Sequence, residues 1–182
     1  MRAGSFVAPP ATADGVVFSE AMLWAGDLVV DTRPTRISTV LGSCVSVCLY
    51  DSRLHFGGMN HFLVPRGNIN AHQGDWATER LVQRMQQLGS RVDDIQAKLF
   101  GGGSPLRLEN DTLAVGTENV TVARQVLRES GIPVVVERVG HTAGIRLFFE
   151  NWTGVVWLRA HDERPPPRSA PARSVCSTSD TR

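Results

Sequence analysis

The sequence predicts a single α+β domain. Three observations carry that prediction. At 182 residues the chain suits one domain, since domains commonly run about 100–200 residues. Many short β-branched or aliphatic runs are separated by Gly, Pro, Asn and Asp. Two longer stretches place their apolar residues three or four apart, the spacing of a helix with one buried face.

In chain order, Leu28–Val30 and Ile37–Leu41 read as strands separated by Thr32-Arg33-Pro34. From Val45 to Tyr50, Val45, Val47 and Leu49 alternate with Ser46, Cys48 and Tyr50, the period of a strand. Gly57-Gly58 precedes a strand over Met59–Val64 that Pro65 ends. Asp75 is placed to cap a helix to about Leu88, with Ala77, Leu81, Met85 and Leu88 on one face and Gly89 as its stop. Ala97–Phe100 is a strand entering the Gly101-Gly102-Gly103 turn. A second helix starts at Thr117 and ends near Ser130-Gly131. Pro133–Glu137, Ile145–Phe149 and Val155–Leu158 complete the strands, the last two joined across Asn151–Gly154.

With 42% hydrophobic residues the chain can bury a core without a disulfide framework, and a net charge of +1 predicts no nucleic-acid or anionic-membrane binding. No run approaches a membrane span, and the N-terminus lacks the apolar segment of a signal peptide. Three cysteines, Cys44, Cys48 and Cys176, fit reduced thiols in a cytoplasmic protein. The expected organisation is a loosely held segment over 1–15, a folded domain over 16–162, and a disordered tail over 163–182. That tail holds four of the ten prolines, and its four arginines face two acids.

The chemistry concentrates in TVLGSCVSVCLYDSRLHFGGMNHFLVP, residues 39–65, where His61 follows Cys44 by seventeen positions. On one strand, Cys44 and Cys48 would lie about 13 Å apart. That is too far for two thiolates on one zinc or for a disulfide. Cys48 reads as a small buried hydrophobe. Cys44 follows Gly42-Ser43 at a turn, where successive N–H groups can converge on an anion. Cys44 and His61 can therefore be a nucleophile and base, or two ordinary buried residues.

Ile37–Asp51, including Leu41-Gly42-Ser43-Cys44, and Gly57–Pro65, including Gly57-Gly58-Met59-Asn60-His61, resemble CheD, the bacterial chemoreceptor glutamine deamidases. The likeness continues through Gly74-Asp75-Trp76-Ala77, Lys98–Gly102, Gly116–Asn119 and Gly131-Ile132-Pro133, and covers roughly Phe18 to Arg159. It implies a layered α/β/β sandwich related to bacterial deamidating toxins, and a Cys–His amidohydrolase without metal or organic cofactor. The nucleophile then falls on Cys44 and the general base on His61. An orienting hydroxyl falls on Ser38, where the family has threonine, and an oxyanion site on the N–H groups of Ser43 and Cys44. Thr39, the neighbouring hydroxyl, faces the other way on a strand. Implied partners are the cytoplasmic helices of methyl-accepting receptors and a CheC-type phosphatase, with no nucleic acid and no membrane insertion. A regulatory binding module with little catalysis is the alternative, and a Cys–His peptidase or transglutaminase would use the same nucleophile.

His72-Gln73 and Gly140–Arg146 depart from the family pattern, and His72 and His141 read as exposed loop residues. His55 and His161 read as surface. Gly101–Ser104 lacks the Lys-Ser/Thr of a phosphate loop and reads as a tight turn. Trp24, Trp76, Trp152 and Trp157 are too scattered to stack nucleic-acid bases.

Overall fold

The computed structural model describes residues 7–13, 15–67, 70–103 and 112–160. The tail over 163–182, with Cys176, and His161 lie outside the described residues. Among the described residues, ten strands and two long helices follow in order as β1 (Val7–Ala13), β2 (Val16–Met22), β3 (Leu28–Asp31), β4 (Thr35–Leu41), β5 (Val45–Asp51), β6 (Phe56–Asn60), α1 (Gly74–Gln87), β7 (Ile95–Gly101), α2 (Thr112–Glu129), β8 (Val134–Val139), β9 (Ile145–Glu150) and β10 (Val156–Ala160). A short 3-10 turn, Val92–Asp94, precedes β7.

The strands form two five-stranded mixed sheets, ordered β1-β2-β4-β9-β10 and β3-β6-β5-β7-β8. Alternation along β5 divides the core in two. Val45, Val47 and Leu49 face the helices with Leu81, Met85, Ala123 and Leu127, whereas Cys48 faces the other sheet with Ile37, Leu41, Met59 and Phe149. The result is three layers, helices on sheet on sheet, joined by two largely apolar seams.

The chain changes sheet repeatedly at one end of this sandwich. The Leu23–Asp27 turn leads from β2 to β3, Gly42–Cys44 from β4 to β5, and Gly140–Gly144 from β8 to β9. Segments distant in sequence are thereby gathered at the end that holds Cys44 and His61. At the opposite end, the Asn151 side chain accepts from Thr35 N–H at 2.7 Å and donates to the carbonyls of Asp31 and Arg33, fastening the β9–β10 hairpin to the crossing from β3 to β4.

Several elements differ from the sequence expectation. Val7–Ala13, expected to be loosely held, pairs antiparallel with β2, with an irregularity between Ala8 and Ala11 around Pro9-Pro10. β2 has no clean alternation because Glu20 and Ser19 sit among its apolar residues. It is held by parallel pairing with β4, which sequence order does not reveal. β6 starts at Phe56 and ends at Asn60, so His61 lies just past the strand rather than within it. Asp75 is not the cap of α1, since Gly74 opens the helix and the Asp75 carboxylate accepts from Gly67 and Trp76 N–H groups.

α2 begins at Thr112, five residues before the expected start, and carries Gly116 inside it. A Cβ at Gly116 would lie 2.8 Å from the Gly102 carbonyl oxygen and 3.2 Å from that of Gly103. Glycine therefore lets the helix rest directly on the Gly101–Gly103 turn, where Gly101 and Gly102 have φ of 106° and 60°. Gly116→Ala should test this contact. Alanine gains about 1 kcal/mol of helix propensity, but forcing it against immobile backbone costs about 1–3 kcal/mol. Urea unfolding should therefore show a net loss of stability rather than the gain expected at an open helix position.

Candidate active site

β4 settles which hydroxyl faces the site. Thr35, Ile37, Thr39 and Leu41 are buried, whereas Arg36, Ser38 and Val40 lie on the outer face. Ile37 and Leu41 belong to the seam between the sheets, so Thr39, between them, points into that seam. Ser38 points the other way, with its hydroxyl 3.4 Å from the Ala21 carbonyl and its neighbours Arg36, Arg146 and Phe148 on the outer surface. Ser38, expected to orient the histidine, is thus placed on the outer face, away from the seam. The strand's parity places Thr39 in the seam instead.

Thr39 Oγ1 lies 2.8 Å from His61 Nδ1 and 2.9 Å from the Leu23 carbonyl. A hydroxyl has one proton and a carbonyl can only accept. Thr39 therefore donates to Leu23 and accepts from His61 Nδ1–H, which leaves Nε2 without a proton. His61 is 6% exposed, and its Nε2 makes no hydrogen bond among the described residues. The backbone fixes the ring further, because His61 N–H donates to the Asp27 carbonyl at 3.0 Å and Gly26 N–H to the His61 carbonyl at 2.7 Å.

Cys44 reaches the same face through β5. Val45 and Phe62 exchange both backbone hydrogen bonds, at 3.1 and 3.0 Å, in the register that pairs Cys48 with Met59. Ser46 therefore lies across from His61, and Cys44 stands diagonally to it on the seam side. Such diagonal positions are about 7–8 Å apart at Cα, within reach of side chains. The half-buried Cys44 packs against the inter-sheet cluster.

The turn before Cys44 is tied from outside. Gly103 N–H donates to the Gly42 carbonyl and Gly102 N–H to that of Cys44, both at 2.8 Å, and the Asn119 amide donates to that of Ser43 at 3.2 Å. Three successive carbonyls point toward the glycine turn and α2. Gly101–Gly103, read from sequence as a plain turn, is thus the cradle of the cysteine segment. Neither Asn119 nor Thr39 stood out as a site residue in the sequence. Their signals were the parity of β4 and the Gly116–Asn119 segment.

Burial decides the electrostatics. It pushes the Cys44 thiol up from its ordinary value, against backbone N–H groups of Gly42 and Cys44 that favour the thiolate. Desolvation pulls His61 down to about 4, opposed by the Leu23 carbonyl and the Asp27 carboxylate. At neutral pH both groups are uncharged, a thiol and a free imidazole on the same face. Cys48 is fully buried and its thiol is pushed far up, which makes it inert.

His72 is exposed as expected, with its ring stacked over Gly26. His141 is half-buried beside Gly103 rather than exposed, and burial lowers its affinity for a proton. His55 is exposed and bonded to the Tyr50 hydroxyl at 2.9 Å. Trp24, 62% exposed, and Leu63 and Val64 present apolar surface around the His61 turn. Among the described residues no helix is long and apolar enough to cross a membrane.

Comparison with known proteins agrees with the resemblance in the sequence. The family profile described as CheD chemotactic sensory transduction matches residues 65–160. A protein of Sulfurimonas denitrificans named a probable chemoreceptor glutamine deamidase CheD is 37% identical over 147 residues, covering 78% of this chain and 94% of its own. Proteins of the same description from Rhodospirillum rubrum and Anaeromyxobacter dehalogenans are 41% and 40% identical, covering 75% and 78% of this chain and 80% and 84% of theirs. Among solved structures, the hypothetical protein YfiH of Bacillus licheniformis aligns with a TM-score of 0.44 and 20% identity, over 64% of this chain and 51% of that one. With a profile over half its length and relatives matched along most of theirs, this chain belongs to the CheD family.

Proposed function

We propose that this protein is a chemoreceptor glutamine deamidase of the Cys–His type, converting glutamine side chains on cytoplasmic receptor helices to glutamate and ammonia. The observation that carries the reading is the buried, unpartnered Nε2 of His61, held by Thr39 on the seam face that Cys44 shares. An orphaned buried nitrogen costs about 1–3 kcal/mol, a cost that a base awaiting a proton accounts for. The relation to bacterial deamidating toxins belongs to the same reading.

In this mechanism Nε2 takes the Cys44 proton as the sulfur attacks the glutamine carboxamide carbon. The C=O electrons move onto oxygen, and the N–H groups of Ser43 and Cys44 meet that oxyanion. The imidazolium keeps Nδ1–H on Thr39, with the Asp27 carboxylate favouring its charge. It then protonates the departing nitrogen, releasing ammonia and leaving a thioester on Cys44. Water, deprotonated by Nε2, attacks the thioester carbon, and the thiol and a glutamate side chain are restored. The apolar rim of Trp24, Leu63 and Val64 suits a folded protein substrate better than a free amino acid.

Peptide masses of a receptor cytoplasmic fragment incubated with the protein check the activity. Each modified glutamine should gain about one dalton, and Cys44→Ala should abolish the gain. Undiminished deamidation by Cys44→Ala would sink the assignment, and no gain alongside tight binding to a CheC-type phosphatase would favour a binding module. Thr39→Val should lower kcat roughly tenfold or more, a share of the 10²–10⁴ that a positioned base contributes, while Ser38→Ala should stay within about twofold.

The pH dependence separates a neutral pair from a preformed ion pair. Burial raises the Cys44 thiol, so its thiolate fraction, and its alkylation by iodoacetamide, should climb about tenfold from pH 7 to 8. A rate already level below pH 7 would mean a resting thiolate–imidazolium pair. For stability the sign follows from His61. Its folded value, about 4, lies below the ordinary value of 6.5, so unfolded chains bind the proton first. The protein should lose stability as pH falls from about 6.5 toward 4, and His61→Gln should lose less over that window.

A further inference from the structure

We propose that Asn119 is the positioning residue that holds Cys44 in register with His61, by pinning shut a fork in the backbone. The inference rests on the reading of Cys44 and His61 as a reacting pair, and it concerns what fixes their separation.

The fork is visible in the hydrogen bonds. After the Val45–Phe62 pair, an antiparallel ladder would next join Ser43 to Val64 through two backbone bonds. Neither forms. Val64 N–H donates instead to the His72 carbonyl at 3.1 Å, and the Val64 carbonyl accepts from Gly74 at 2.8 Å. On the other prong, the Cys44 carbonyl turns to Gly102. The two segments part directly at Cys44, and one leads to the glycine turn, the other to α1.

Asn119 sits in the crotch of this fork. It is fully buried on α2, and its Nδ2 donates to the Ser43 carbonyl at 3.2 Å and the Leu63 carbonyl at 2.8 Å. Both amide protons are used, one on each prong. The amide cannot flip, because Oδ1 would then face two carbonyl oxygens. Oδ1 itself has no partner among the described residues. A buried acceptor left unpaired is unfavourable, so this side chain is not there for its own hydrogen-bond balance. No backbone bond crosses the fork beyond Val45–Phe62, and the Asn119 amide substitutes for the missing rung. Without it, the Ser43 and Leu63 carbonyls lose their shared donor, and the Cys44 prong, still bonded to Gly102 and Gly103, loses its tie to the Leu63 prong past Val45–Phe62.

A double-mutant cycle on Cys44 reactivity tests the proposal without needing a receptor. The probe is chloroacetamide, and the measurement is the Cys44 alkylation rate at pH 7 by intact mass, beside a thermal melt to confirm folding. His61→Gln should slow alkylation, and Asn119→Ala should slow it several-fold. In the double variant, Asn119→Ala should add less than about twofold to the His61→Gln loss, because positioning has no effect once the base is gone. Losses that multiply would assign Asn119 a general structural role and overturn the proposal. So would an Asn119→Ala rate equal to wild type. A His61→Gln rate equal to wild type would overturn the base assignment, and the positioning role with it. Should Asn119→Ala fail to fold, Asn119→Ser keeps one donor and carries the same cycle, with an intermediate rate expected.

Discussion

The pair of backbone hydrogen bonds between Val45 and Phe62 is the constraint on which the candidate site depends. It is the last rung joining β5 to the segment after β6, and it lies immediately beside both Cys44 and His61. Phe62 secures it from the helix side. Its fully buried ring packs so closely on Gly74 that a Cβ there would fall 2.4 Å from the ring. One rung of backbone therefore couples three things: the start of α1, the core beneath the helices, and the spacing of Cys44 and His61. The strands separate just past it.

That arrangement explains why the site is neutral at rest. Closing the seam between two sheets around an imidazole removes water that would otherwise stabilise its charge, so the proton is held weakly. The same closure strengthens any charge interaction formed later. Thr39, the Leu23 carbonyl and the Asp27 carboxylate all favour the imidazolium, and their effect grows only as the proton arrives. Stabilisation concentrated on a charged intermediate, rather than on the resting protein, lowers a barrier rather than merely deepening a ground state. Cys48, two periods of the alternation away in the same seam, lacks the turn and lies opposite Met59. It shows what burial alone makes of a thiol.

The core of this arrangement was legible in local pattern. The alternation of Val45–Tyr50 gave β5 its two faces, and it separated Cys48 from any partnership with Cys44. The two helices were legible from their apolar spacing, although α2 starts five residues before the expected Thr117 and runs through Gly116. A glycine reads as a boundary when the backbone it rests against is not in view. Strands β1 and β2 were missed because their pairing is nonlocal and their patterns are weak. Ser38 was expected at the histidine for a subtler reason. Parity correctly separated Ser38 from Thr39, but a position matched by resemblance was preferred to the parity of the strand itself. Arg36 outside, with Ile37 and Leu41 inside, already placed Thr39 inward. Asn119 could not be found this way, because its role depends on two carbonyls 76 and 56 residues away.

Two buried asparagines show how the sandwich divides its labour. At one end Asn151 uses its oxygen and its nitrogen, accepting from Thr35 and donating to Asp31 and Arg33, and nothing on its side chain is left unpaired. That is what a purely structural polar clamp should look like, since a satisfied network stabilises and a half-satisfied one does not. At the Cys44 end the balance is different. Asn119 leaves Oδ1 unpaired, Asn60 spends its oxygen on Val47 N–H and leaves Nδ2 unpaired, and His61 leaves Nε2 unpaired. Each vacancy costs stability where packing alone would have favoured apolar residues. Unpaired buried atoms occur at the far end as well, at Arg36 Nε and Asp51 Oδ2, so a missing partner alone does not mark a site; His61 Nε2 stands apart because it is a proton acceptor on the seam face that Cys44 shares.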